Sequence, residues 1–129
     1  MLLTGSTGLA RRALAEAVGS ALLTAAVVGS GIAAQRLSPH DVGLQLLESA
    51  VATGAGLAAI IVAVGPVSKA HLNPAVSLAD WLLGGLSTRE LGTYTAAQVS
   101  GGLVGCALAN AMFAVALTPA STVRATPSL

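Results

Sequence analysis

Charge is what this chain has least of: Asp, Glu, Lys and Arg make up 9% of its 129 residues, where a soluble domain carries about a quarter. So few charges cannot cover a water-facing surface. The formal net charge is only +1. That excludes nucleic acid as a partner, because phosphate recognition needs clustered Lys and Arg. Aromatic residues fall to 2%, so the bulky side chains that fill a soluble core are missing. The lone cysteine, Cys106, cannot form an intramolecular disulfide and reads as a small packing residue in an apolar run. Metal-ligand spacings such as H-E-x-x-H are lacking, and so is a Ser, His and acid grouping for a nucleophile. No catalytic residue, metal or cofactor is expected.

Apolar residues are abundant instead. Hydrophobic residues reach 54%, with 15 glycines and a mean hydropathy of +0.82. This mixture suits an all-α membrane protein whose helices pack closely in lipid.

Three stretches have the length of a membrane span, for which about 20 mostly apolar residues suffice. The spans are expected at about 12–34, 41–64 and 89–117 within a single unit over 1–129. Ser38-Pro39 reads as an N-cap followed by Pro at the first helical position of the second span, and Gly65-Pro66 should end that helix. Ser87-Thr88-Arg89-Glu90 has the spacing of a capping box, and the third helix should end near Thr118-Pro119. Between the second and third spans, residues 73–83 are apolar but reach only about 15 Å as a helix, half the hydrocarbon thickness. Gly84-Gly85 lets the chain turn back, so this piece reads as a re-entrant half-helix.

Arg11, Arg12, Lys69 and Arg89 fall on one side of the spans and Arg36 and Arg124 on the other. By the positive-inside rule the N-terminus is cytoplasmic and the half-helix enters from that face. Glu16, at the head of the first apolar run, argues for a retained helix over a signal peptide. Gly29-Ser30-Gly31-Ile32-Ala33-Ala34, with Glu48 further on, matches a dinucleotide fingerprint, but the run before it is too long and Ala-rich for a strand. Gly101-x-x-x-Gly105 marks helix packing without identifying the partner. Trp81 and Tyr94 fit interfacial positions, and Asp80 and Lys69 are candidates to pair.

The half-helix opens with Asn73-Pro74-Ala75. The first N–H groups of any helix lack partners and carry about half a positive charge. Asn73 can cap that end, Pro74 loses no hydrogen bond there, and Ala75 leaves room for close approach. A polar tip at mid-membrane belongs against protein or along a water-filled path.

The stretch Ser68-Lys69-Ala70-His71-Leu72-Asn73-Pro74-Ala75-Val76-Ser77-Leu78 closely resembles the first signature loop of the aquaporin and glycerol-facilitator channels. The resemblance extends to Ala15-Glu16 with Gly19-Ser20 and to Ala97-Gln98 with Gly101, covering nearly all of Ala15 to Phe113. It implies the N-terminal half of an inverted-repeat channel fold, with three transmembrane helices and one half-helix. The carbonyls of Ala70 and His71 would accept from permeating water or small alcohols, and the Asn73 amide would donate to them. Glu16 and Gln98 match positions that brace the loops. Thr53 falls at the outer constriction, where water-selective members place an aromatic, so a different or wider filter is implied. Lys69 stands where the family usually has glycine.

The resemblance further implies a plasma-membrane channel for water or small neutral solutes such as glycerol, ammonia or arsenite, in tetramers surrounded by lipid. The family's second half-helix and filter arginine lie in a second half that these residues do not supply. The expectation is that a complementary half, or other copies of the chain, must complete the pore. The alternative is a non-conducting truncated product that docks with other membrane helices.

Overall fold

The computed structural model describes residues 6–114, which form four α-helices: α1 (Ser6–Leu37), α2 (Val42–Ser68), α3 (Pro74–Leu82) and α4 (Thr88–Met112). No strand occurs among the described residues. α1 packs against both α2 and α4, and α3 packs against α4. Side-chain register gives the directions. Ala17 meets Gly101, Ala21 meets Gly105 and Gly29 meets Phe113, a constant offset, so α1 and α4 run parallel. Gly19 lies against Val64 and Ala26 against Gly56, an inverted order, so α2 runs antiparallel to α1. Arg12, Ser68 and Glu90 therefore share one end of the bundle.

Glycine decides how close α1 and α4 come. A Cβ on Gly101 would overlap the Ala17 carbonyl oxygen, and one on Gly105 would overlap that of Ala21. The two backbones touch directly, which is the contact that small residues permit in lipid. The glycine pair that names no partner in the sequence is thus seated on α1.

α1 and α2 are long and apolar enough to cross a membrane. The 27 residues of α2 extend about 40 Å, against about 30 Å of hydrocarbon. Only 6% of its most apolar window is buried, and Val51, Ile61 and Val62 are exposed. An apolar helix left uncovered in this way calls for lipid or further helices around it. α4 has 25 residues but a more polar composition, because Tyr94 and Gln98 are buried on its inner face.

Several helix ends differ from the sequence expectation. α2 begins at Val42 with Asp41 as N-cap, its Oδ1 accepting from Leu44 N at 2.9 Å, while Ser38 and Pro39 lie in the preceding turn. The carboxylate makes the stronger, charge-assisted cap, and the Ser38 hydroxyl instead donates to Glu48 at 2.7 Å. Pro66 does not end α2, which runs on to Ser68 and closes with Lys69 N donating to Gly65 O at 2.8 Å. So close to the terminus, proline interrupts little of the hydrogen-bond ladder. Gly29-Ser30-Gly31 lies inside α1, not in a phosphate-binding turn. The expected end of the third helix near Thr118-Pro119 lies outside the described residues, as does Arg124.

Candidate functional site

α2 and α4 reach the same end of the bundle, so the chain between them enters and returns on one side. Ser77 of α3 bonds to Gln98, whereas Trp81 Nε1 donates to Thr88 Oγ1 at 3.2 Å. α3 therefore runs antiparallel to α4, with its Asn73 end deepest. Gln98 is about 15 Å along α4 from Thr88, which puts the start of α3 near the midpoint of that helix.

The half-helix has the cap its sequence calls for. Asn73 is extended, Pro74 takes the first helical position, and Asn73 Oδ1 accepts from Ala75 N at 2.8 Å. With Oδ1 committed to the cap, Nδ2 is the outward-facing donor, and it has no acceptor among the described residues. Asn73, Pro74 and Ala75 are all exposed. Leu83 closes the helix and Gly84, at φ +84°, makes the return turn.

The loop ahead of Asn73 is strained. Lys69, Ala70 and Leu72 adopt φ of 69°, 49° and 57°, a region costly to residues with a Cβ. Such a path persists only when the surroundings over-determine it, and here they do. Glu16 is fully buried behind the loop. One of its oxygens accepts from Ser68 Oγ at 2.6 Å and His71 N at 2.9 Å, the other from Leu72 N at 2.7 Å and Gln98 Nε2 at 2.9 Å. Ser68 Oγ accepts in turn from Ala70 N at 3.2 Å. Glu16 of α1 thus holds the loop's backbone donors, and Gln98 of α4 holds Glu16.

A second layer of bonds ties the loop to the half-helix. Gln98 Nε2 also donates to Ser77 Oγ at 2.9 Å, and Ser77 Oγ lies 3.0 Å from His71 Nδ1. His71 Nε2 is 3.3 Å from Asp80 Oδ2, an ion-pair distance without hydrogen-bond alignment. Asp80 therefore faces His71 and not Lys69. The His71 ring meets Tyr94 edge-on, with centroids 5.2 Å apart. Tyr94 is fully buried and not interfacial: its hydroxyl donates to Ser68 O at 2.8 Å and accepts from Arg12 Nε at 3.0 Å. Arg12 completes the chain with Glu90 at 2.6 Å.

The structure thus gathers Glu16, Ala70, His71, Asn73, Pro74, Ala75 and Gln98 in one region. Thr53 stands apart, on the α1–α2 contact, with Oγ1 3.4 Å from Ser30 Oγ, itself 3.0 Å from Ser49 Oγ. Arg12, Ser68, Ser77, Asp80, Tyr94 and Glu90 join the network without having been singled out for it. Ser68 and Ser77 lie within the signature stretch and could have been found there. The others depend on contacts across the bundle.

Comparison with known proteins follows the same segment. The family model described as Major intrinsic protein matches residues 4–128. The chain is 50% identical over 105 residues to the aquaglyceroporin AqpS of Rhizobium meliloti (strain 1021), covering 81% of this chain and 45% of that protein. It is 40% identical over 101 residues to a glycerol uptake facilitator protein of Pseudomonas aeruginosa, covering 78% of this chain and 35% of the other. A probable aquaporin, AqpM of Archaeoglobus fulgidus, is 33% identical over 127 residues, covering 88% of this chain and 50% of its own length. The chain spans half or less of these relatives.

Proposed function

The chain belongs to the major intrinsic protein family, and from that premise we propose that it forms one half of a transmembrane channel for water and small neutral solutes, glycerol among them. Relatives described as an aquaglyceroporin and a glycerol uptake facilitator support this solute class. α1, α2 and α4 are the three spans and α3 the re-entrant half-helix, in a plasma membrane with the N-terminus cytoplasmic. A complementary half, in the same polypeptide or another, closes the pore.

The observation that carries the reading is the orientation of Asn73. Its amide is locked by the bond from Ala75 N, so that Nδ2 is presented at the exposed tip near mid-membrane. A permeant oxygen arriving there accepts from Nδ2 while its own hydrogens turn to the carbonyls of Ala70 and His71. Those carbonyls are held in a strained loop by Glu16 and Gln98, so no reorganisation is needed as solute passes. Thr53 contributes a small polar side chain at the outer constriction, which admits solutes wider than water.

Substitution at Asn73 tests this. Asn73→Asp keeps the oxygen that caps α3 and removes the donor. Joined to a complementary family half and reconstituted in liposomes, the wild-type chain should raise glycerol and water permeability in stopped-flow light scattering. Asn73→Asp should cut both at least tenfold with helix content unchanged. Full permeability in that variant would overturn the reading.

A further inference from the structure

A cleft of about 240 Å³ opens at the rim of the bundle between the start of α1 and the end of α2, lined by Gly8, Arg11, Arg12, Pro66 and Val67. Its two arginines differ in circumstance. Arg12 is engaged by Glu90 and Tyr94, whereas Arg11 is exposed and has no carboxylate partner among the described residues. Lys69, just past the end of α2, is exposed and equally without one. The acids of this end are already engaged: Glu90 pairs with Arg12, Asp80 faces His71, and Glu16, fully buried, is held by four hydrogen-bond donors. This rim therefore carries uncompensated positive charge.

An apolar stripe runs down α1 from Arg11, on the face between the residues that meet α2 (Gly19, Ala26) and those that meet α4 (Ala17, Ala21), with Val18 at the edge of the groove against α4. Leu14, Val18 and Leu22 follow Arg11 at the three- and four-residue steps that keep one helix face, and they are exposed by 65%, 46% and 50%. From Arg11 to Leu22 the stripe descends about 16 Å, close to half the hydrocarbon thickness. A cationic head above an apolar strip one leaflet deep is the complement of a phospholipid. Guanidinium groups bind phosphate oxygens in a fixed fork, which favours Arg over Lys for this contact.

We propose that the cleft between α1 and α2 binds the phosphate headgroup of an anionic phospholipid, with Arg11 as its principal ligand and the acyl chains lying along Leu14, Val18 and Leu22. The inference rests on α1 and α2 crossing a bilayer and is independent of conduction. A lipid seated there bridges the start of one span and the end of the next, so its binding should stabilise the bundle.

The test uses the purified chain in neutral detergent, with thermal melting followed as short-chain phosphatidylglycerol, phosphatidylcholine or inorganic phosphate is titrated in. Phosphatidylglycerol should raise the melting temperature with a saturating dose response, phosphatidylcholine should act more weakly, and phosphate alone should not act. Arg11 is exposed, so Arg11→Gln should fold normally. It should weaken the phosphatidylglycerol response about fivefold in concentration, the weight of one basic residue at a membrane surface. Arg89→Gln, an exposed cation outside the cleft, should leave it unchanged. Equal responses to the two lipids, an equal response to phosphate, or equal losses in the two variants would each overturn the proposal.

Discussion

At the scale of single residues, Glu16 carries the most. It accepts four hydrogen bonds in a fully buried position, three of them from the loop or the serine that starts it. Removing it leaves those donors buried and unmatched, at about 1–3 kcal/mol each where no relaxation intervenes. Glu90 closes a capping box and pairs with Arg12, but at a part-exposed rim where such contacts contribute about 1 kcal/mol. Glu16→Ala should therefore lose more folded protein than Glu90→Ala when detergent-extracted samples are heated, and equal losses would deny Glu16 its special place. Lys69 offers the opposite case. Its φ of 69° is one that glycine adopts freely and a residue with a Cβ does not. Lys69→Gly should stabilise the chain by about 1 kcal/mol, read as a raised midpoint in a denaturation series, and a lowered one would contradict the strain argument.

At the scale of helices, packing turns on where a glycine faces. Gly101 has the Ala17 backbone against it, while Gly92 in the same helix has nothing within 4 Å. Gly101→Ala must push α1 and α4 apart, at about 1–3 kcal/mol. Gly92→Ala meets no obstacle and gains about 1 kcal/mol of helix propensity. The two substitutions should shift the melting temperature in opposite directions, and the same direction for both would show that propensity outweighs the helix contact. The half-helix follows a similar logic of ends. Its capping chemistry is local and was legible in Asn73-Pro74-Ala75. The N-terminus of α2 was not, because Ser38 and Asp41 are both good caps and only geometry chose the carboxylate.

At the scale of the whole molecule, α1 and α4 run parallel and α2 against them, with the half-helix returning to the end from which it came. Placed in a bilayer by the Lys and Arg asymmetry, this arrangement puts the turn at Ser38 outside and the turn at Gly84 inside. Reporter fusions at those two positions should read opposite faces, the first external and the second cytoplasmic. A cytoplasmic Ser38 would invert the arrangement and bring the half-helix in from the other side. The topology also governs conduction. In the proposed channel one half-helix reaches mid-membrane from a single face, so residues 1–129 in one orientation should add no solute permeability to liposomes. Flux should appear once an inverted family half is supplied.

Much of what is local was written in the sequence, although the ends of α2 were not. Membrane class follows from scarce charge and long apolar runs, and the re-entrant segment from a run too short to cross. The place of the candidate site follows from a motif whose residues are neighbours in the chain. The tertiary structure decided what depends on distance. Glu16 meets Ser68 across 52 residues and Gln98 across 82, and Arg12 meets Glu90 across 78. Tyr94 became a buried hub instead of an interfacial ring, and Gly101 and Gly105 acquired α1 as their partner. No spacing rule encodes such pairs, because they are chosen by which helix faces meet once the apolar surfaces have been handed to lipid and the polar ones must find each other.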